Sequence, residues 1–122
     1  RRVLFRSLEG LIYAGMKQYA GGLVNVAVIT LDMMRRSGAN EDDCEDLASL
    51  AGRVKGSMIS VTIRQLAEKE CKVSLRSSDA FDSSAVCSRF GGGGHKMASG
   101  CTICEDPETT RNIIVQSILE AM

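Results

Sequence analysis

Residues Leu23 to Leu31 form a short, nearly continuous apolar run rich in valine and isoleucine. A strand with one wet face alternates polar and apolar residues. A short run without that alternation suits a strand buried on both sides, in the interior of a sheet covered by helices. This element alone points to an α/β fold. The 122 residues suffice for one domain with a real core and are too few for two. No apolar run approaches the roughly 18 residues of a membrane span, and nothing within the chain reads as a signal peptide. An odd count of cysteines suits a reducing compartment, so a cytoplasmic protein without a membrane contact is expected.

The remaining segments supply partners for that strand. Val3, Leu4, Leu8, Leu11 and Ile12 recur at helical spacing, predicting a helix over 3–17 that ends before Gly21-Gly22. The chain opens on Arg1-Arg2-Val3-Leu4, so this helix reads as one entered from upstream in a longer protein. Residues 1–20 would then continue from a preceding domain, and 21–122 would form the domain proper. Ser37 to Asn40 is a turn, and Asp42 or Asp43 caps a helix carrying Leu47, Leu50, Ala51 and Val54. Ser57–Leu66 and Cys71–Arg76 alternate and are joined by the polar Ala67–Glu70, the pattern of a hairpin. Its second strand places Cys71, Val73 and Leu75 on one face and Lys72, Ser74 and Arg76 on the other.

Asp79 or Asp82 starts a short helix through Ala85, Val86 and Phe90. Cys101–Cys104 reads as a short strand, and Asp106-Pro107 opens a final helix that buries Ile114, Ile118 and Met122. The expectation is a two- or three-layer α/β domain, with helices packed on a mixed sheet of about four to five strands.

Charge and aromatic content restrict the ligand. Fifteen acids balance fifteen bases, so no global field draws in a long polyanion. Aromatic residues are confined to Phe5, Tyr13, Tyr19, Phe81 and Phe90, too few to promise a stacking platform for a long single strand. An anionic ligand must therefore be held locally, and a short one fits best.

The feature suited to hold it is Gly91-Gly92-Gly93-Gly94-His95-Lys96-Met97-Ala98-Ser99-Gly100. Glycine serves where backbone takes positive φ or approaches a ligand closely, and successive free N–H groups can form an anion nest. A helical turn starting at His95 would add its N-terminal potential. Four glycines would also suit a flexible linker, but these lie between an amphipathic helix and a strand inside a compact chain. His95, the single histidine, follows the glycines directly and can donate to a phosphate oxygen; Lys96 can add a point charge. Arg76, followed by Ser77 and Ser78, offers a bidentate phosphate clamp backed by hydroxyls.

The five cysteines are an odd number, against a disulfide framework. Cys101-x-x-Cys104 provides only two of the ligands that structural zinc wants, and its members would point to opposite faces of a strand. No metal site and no catalytic residue is assigned to this chain.

Lys72–Ser77, a short helix, and Phe90–Gly100 together closely resemble the C-terminal, DHH-associated substrate-binding domain of DHH-family phosphoesterases. The likeness is greatest to the oligoribonuclease/pAp phosphatase branch, the nano-RNases. It implies that Arg76, Ser77, Gly92, Gly93, Gly94 and His95 contact substrate, with Lys96 added from its own charge, and that the partners are short RNA or nucleotide phosphates and an upstream catalytic domain of the same chain. That domain would hold two manganese ions and activate water at the phosphoester, while this chain binds no cofactor itself and is inactive alone. Ser99 stands where the family often has alanine. A RecJ-like single-strand exonuclease and a cyclic-dinucleotide phosphodiesterase are the alternatives within the resemblance. The exposed helix faces allow a homodimer without demanding one.

Overall fold

A computed structural model of the chain describes residues 3–43 and 50–122. A six-stranded mixed sheet runs through the domain. The strands are β1 (Lys17–Tyr19), β2 (Val24–Ile29), β3 (Ile59–Ala67), β4 (Glu70–Ser77), β5 (Gly93–His95) and β6 (Ala98–Ile103). Across the sheet they lie in the order β1-β2-β3-β4-β6-β5. Only β2 and β3 are parallel; every other neighbouring pair is antiparallel. The helices are α1 (Val3–Gly15), α2 (Leu31–Ser37), α3 (Ser83–Ser88) and α4 (Pro107–Ala121).

β2 is almost wholly buried on both faces, as its unbroken apolar sequence demands. Val24 and Val26 join the larger core, with Ile59, Val61 and Ile63 of β3, Cys71, Val73 and Leu75 of β4, and Cys101 and Ile103 of β6. Val86 and Cys87 of α3 and Ile114, Val115 and Ile118 of α4 close that core. Ala27 and Ile29 face the other way, into a smaller core with Leu8 and Ile12 of α1 and Ala51. Helices thus cover one face of the sheet across its breadth. They cover the opposite face only over the β2 side. The domain is three layers thick on one half and two on the other.

Several elements differ from the sequence-based expectation. The strand count is six, because the three-residue edge strands β1 and β5 carry too few residues to show a period. The apolar run ends as a strand at Ile29. Thr30 there accepts a hydrogen bond from the Met33 N–H at 3.1 Å and starts α2, which the turn reading of the region passed over. Gly38, at φ +69°, ends that helix. Asn40, rather than Asp42 or Asp43, caps the helical residues 41–43: its Oδ1 accepts from the Asp43 N–H at 3.1 Å, and Asp43 Oδ2 from the Asn40 N–H at 3.0 Å. Leu47, expected on that helix, lies outside the described residues, and Leu50–Arg53 form a 3-10 turn.

Asp82, of the two candidates, caps α3. Asp106 caps α4 through the Thr109 N–H at 2.8 Å with Pro107 at the first turn. Ile114 and Ile118 are fully buried, whereas Met122, just past the end of α4, is exposed.

Candidate functional site

Register decides which side chains share the open half of the sheet. In antiparallel pairs, residues directly opposite one another point to the same face. Ser60, Arg76, Ala98 and His95 form one such row across β3, β4, β6 and β5. Thr62, Ser74, Gly100 and Gly93 form the next, and Arg64, Lys72 and Thr102 the third. All are on the face opposite the large core. Arg76 and His95 therefore flank Ala98, two strand spacings or roughly 10 Å apart at the backbone, and both are exposed. Between them lies an open groove of about 310 Å³ lined by Ser74, Arg76, Gly93, Gly94, Ala98, Ser99 and Gly100. Arg76 thus lines the groove, and His95 stands outside its lining. The floor is almost free of side chains, so a ligand can approach the backbone.

The glycine run does not form the helical turn expected at His95. It is the edge strand of a hairpin: His95 pairs with Ala98, and Lys96-Met97 make the turn. Each glycine there answers a different demand. Gly91, at φ +77°, ends α3 with its N–H bonded to the Ser88 carbonyl, and the Gly92 N–H bonded to the Cys87 carbonyl at 3.0 Å, a Schellman arrangement. A Cβ on Gly92 would lie 2.1 Å from the Gly100 carbonyl oxygen, so only glycine fits there. Gly94 combines φ +142° with a would-be Cβ 2.7 Å from the Ala98 carbonyl oxygen. Gly93 has ordinary φ and open space around it. Nothing in the fold requires glycine at that position, which borders the groove.

The hairpin is tied down from the core side. Ser77 Oγ donates to the Phe81 carbonyl at 3.1 Å and the Lys96 carbonyl at 3.4 Å. The buried Ser83 donates to the same Lys96 carbonyl from its N–H and from its hydroxyl, each at 2.8 Å. The Ser77 N–H donates to the Met97 carbonyl at 3.0 Å. Ser77 is opposite Ile59 and so belongs to the core-facing alternation. It sits on the other face from Arg76, and its hydroxyl holds the hairpin instead of lining the groove. Lys96 is exposed at the turn and outside the groove lining. Asp82 is held below the usual carboxylate range chiefly by the Ser84 hydroxyl, with the N–H groups of Ala85 and Ser84 and the Lys96 charge adding to it.

The groove also takes in Ser74, on the Arg76 face, and Ala98, Ser99 and Gly100 from the end of the glycine-histidine segment. Ser83, beneath the hairpin, is the residue that no sequence pattern marked. The period-2 pattern of β4 carries the signal for Ser74. The places of Ala98, Ser99 and Gly100 depend on strand pairing, which no local pattern announces.

Beneath the groove sits a thiol pair. Cys87 accepts a hydrogen bond from the Ser99 hydroxyl at 3.2 Å. Its pKa is pulled down to about 7, first by the Cys101 thiol and then by Ser99. Cys101 is pushed up by giving that hydrogen bond and by burial. Cys104, the sequence neighbour of the C-x-x-C pair, is exposed.

The sequence matches the DHHA1 domain family over residues 23–121. The chain belongs to that family. Its DHHA1 domain is 33% identical over 96 residues to the bifunctional oligoribonuclease and PAP phosphatase NrnA of Thermus thermophilus. That match takes in 79% of this chain and 28% of the NrnA chain, so the domain spans a little over a quarter of its relative. The fold is shared with an exopolyphosphatase-related protein from Bacteroides fragilis, with a TM-score of 0.85 and 23% identity over 98% of this chain and 35% of that one. It is also shared with the pGpG-specific phosphodiesterase PggH of Vibrio cholerae, with a TM-score of 0.61 and 17% identity over 98% and 41% of the two chains. Among the described residues no helix is long and apolar enough to cross a membrane.

Proposed function

We propose that this DHHA1 domain is the substrate-gripping part of a DHH-type phosphoesterase acting on short oligoribonucleotides, on pAp, or on both. The observation that carries the reading is the pairing of Arg76 and His95 across Ala98, above a floor of Gly93, Gly100 and Ser74. Arg76 presents a planar fork matched to two phosphate oxygens. His95 adds a donor from the neighbouring strand. The outer edge of β5 contributes unpaired N–H groups, taking the place of the nest that a coiled glycine loop would have formed. Gly93 leaves room for the sugar or phosphate against the backbone. Ser77 and Ser83 act at one remove, holding the hairpin so that His95 stays in register with Arg76.

Residues 1–20 are proposed to lead in from a catalytic domain holding two manganese ions. Among the described residues no three His, Cys, Asp or Glu side chains come together, and any step through a metal is proposed to belong to that upstream domain. The contribution of this chain is to orient the phosphoester and to offset its charge. The whole protein is proposed to work in the cytoplasm.

Isothermal titration of pAp into the chain, beside the Arg76→Ala and His95→Ala variants, tests the proposal. Each substitution is expected to weaken binding by about tenfold, as for loss of one charge-assisted hydrogen bond, with thermal unfolding unchanged. Equal affinity in all three proteins would remove the site from this face. Hydrolysis of pAp or a dinucleotide by the 122-residue chain with manganese would overturn the assignment of catalysis to another domain.

A further inference from the structure

Two rows bearing basic side chains cross the open face, Arg76 with His95 in one and Arg64 with Lys72 in the other, and the groove accounts for only the first. Arg64 and Lys72 are direct cross-strand partners on β3 and β4. Like charges placed directly opposite one another destabilise a sheet. Among the described residues neither forms an ion pair. Glu41 lines a cavity of about 220 Å³ with Arg64, and Glu70 begins β4 on the same alternation as Lys72, yet neither carboxylate closes on the row. Between Arg76 and Lys72 the face carries no carboxylate. It carries Thr62, Ser74, Gly100 and Gly93, the low polar row that separates the two basic ones. In a chain with fifteen acids and fifteen bases, this is a local segregation of charge.

Resting on the nucleotide-binding reading of the groove, we propose that the Arg64–Lys72 row is a second phosphate site, which selects oligonucleotides over mononucleotides. Lys72 is four residues from Arg76 along one strand, roughly 13 Å at the backbone. That separation matches phosphates about two nucleotide steps apart. A strand seated with its terminal phosphate between Arg76 and His95 then runs along β4, over the side-chain-poor middle row. Its next phosphates arrive at Lys72, with Arg64 behind it. The row adds nothing to a ligand with a single phosphate. An inorganic polyphosphate offers the same chemical group, but a short one cannot span the two rows.

The test is a set of titrations of AMP, pApA, pApApA and tripolyphosphate into the full chain and its Lys72→Gln, Lys72→Arg and Arg76→Ala variants. Lys72 is exposed, so its replacement should leave the thermal unfolding curve in place. Lys72→Gln is expected to weaken the longer oligonucleotide about fivefold and to reduce its salt dependence by about one unit of slope. AMP and tripolyphosphate should change by less than about twofold. Lys72→Arg should restore oligonucleotide affinity. Unchanged binding of pApApA to Lys72→Gln would overturn the second site, as would an equal loss for AMP. A Lys72-dependent gain for tripolyphosphate would overturn the spacing argument. Failure of the groove itself reads out separately, as AMP affinity that Arg76→Ala does not alter.

Discussion

The two faces of β4 differ in what covers them: one is packed into the core and the other is left open. Cys71, Val73 and Leu75 point into the large core and are fully buried. Lys72, Ser74 and Arg76 point the other way, where no helix among the described residues covers the sheet and two of the three are exposed. β2 has helices over both its faces and carries apolar residues almost throughout. β4 has them over one only. The missing layer leaves this face open, because α1 and α2 stop short of it, and it is the face proposed to bind nucleotide. Its side chains are then free of packing duties, and their replacement should cost binding rather than folding.

The sharpest way to break this contrast is to exchange the roles of adjacent residues. Leu75→Ala, on the core face, is expected to destabilise the domain by about 2–5 kcal/mol, as deletion of a buried leucine does, in a urea titration. The glycines of the hairpin divide along the same line. Gly92→Ala forces a methyl against the Gly100 carbonyl and should cost about 1–3 kcal/mol. Gly93→Ala meets open space and should stay within about 0.5 kcal/mol of the parent, while weakening nucleotide binding. A stability loss at Gly93 equal to that at Gly92 would mean that the groove floor serves packing. Arg76→Lys keeps the charge and loses the fork; pAp affinity is expected to drop about fivefold with no shift in the unfolding midpoint.

The smallest effect concerns pH. Cys87 is depressed to about 7 from an ordinary value of 9.0, so the folded state favours its thiolate. That contribution is fully present above pH 9 and is lost as pH falls through about 7. Cys101 is raised, so the folded state resists its ionisation, and this opposes folding above pH 9. Stability followed by urea midpoint should therefore rise from pH 7 toward 9 and fall beyond it. Cys87→Ser should flatten the rising limb.

Much of the fold was legible in local pattern. The unbroken apolar run, the period-2 alternation in β3 and β4, and the Asp106-Pro107 helix start each express a rule that acts within a few residues. The same alternation that put Arg76 beside Ser74 also put Ser77 beside Leu75, on the core side. Grouping Arg76 with Ser77 as one clamp overlooked that consequence. α2 and β1 escaped notice because a seven-residue helix and a three-residue edge strand hold too little of their period.

By itself the sequence determined the class of fold, the face that carries Arg76, the presence of a glycine-histidine element after it in the chain, and membership of the DHHA1 domain family. Tertiary structure alone decided how those pieces meet. It made the glycines a hairpin edge, set His95 opposite Ala98 and hence beside Arg76, paired Cys87 with Cys101 instead of Cys104, and aligned Arg64 with Lys72. The physical reason is one of range. Periodicity and capping are short-range and leave their mark on neighbouring residues. Strand register is settled by residues far apart in the chain, through the burial of one shared face.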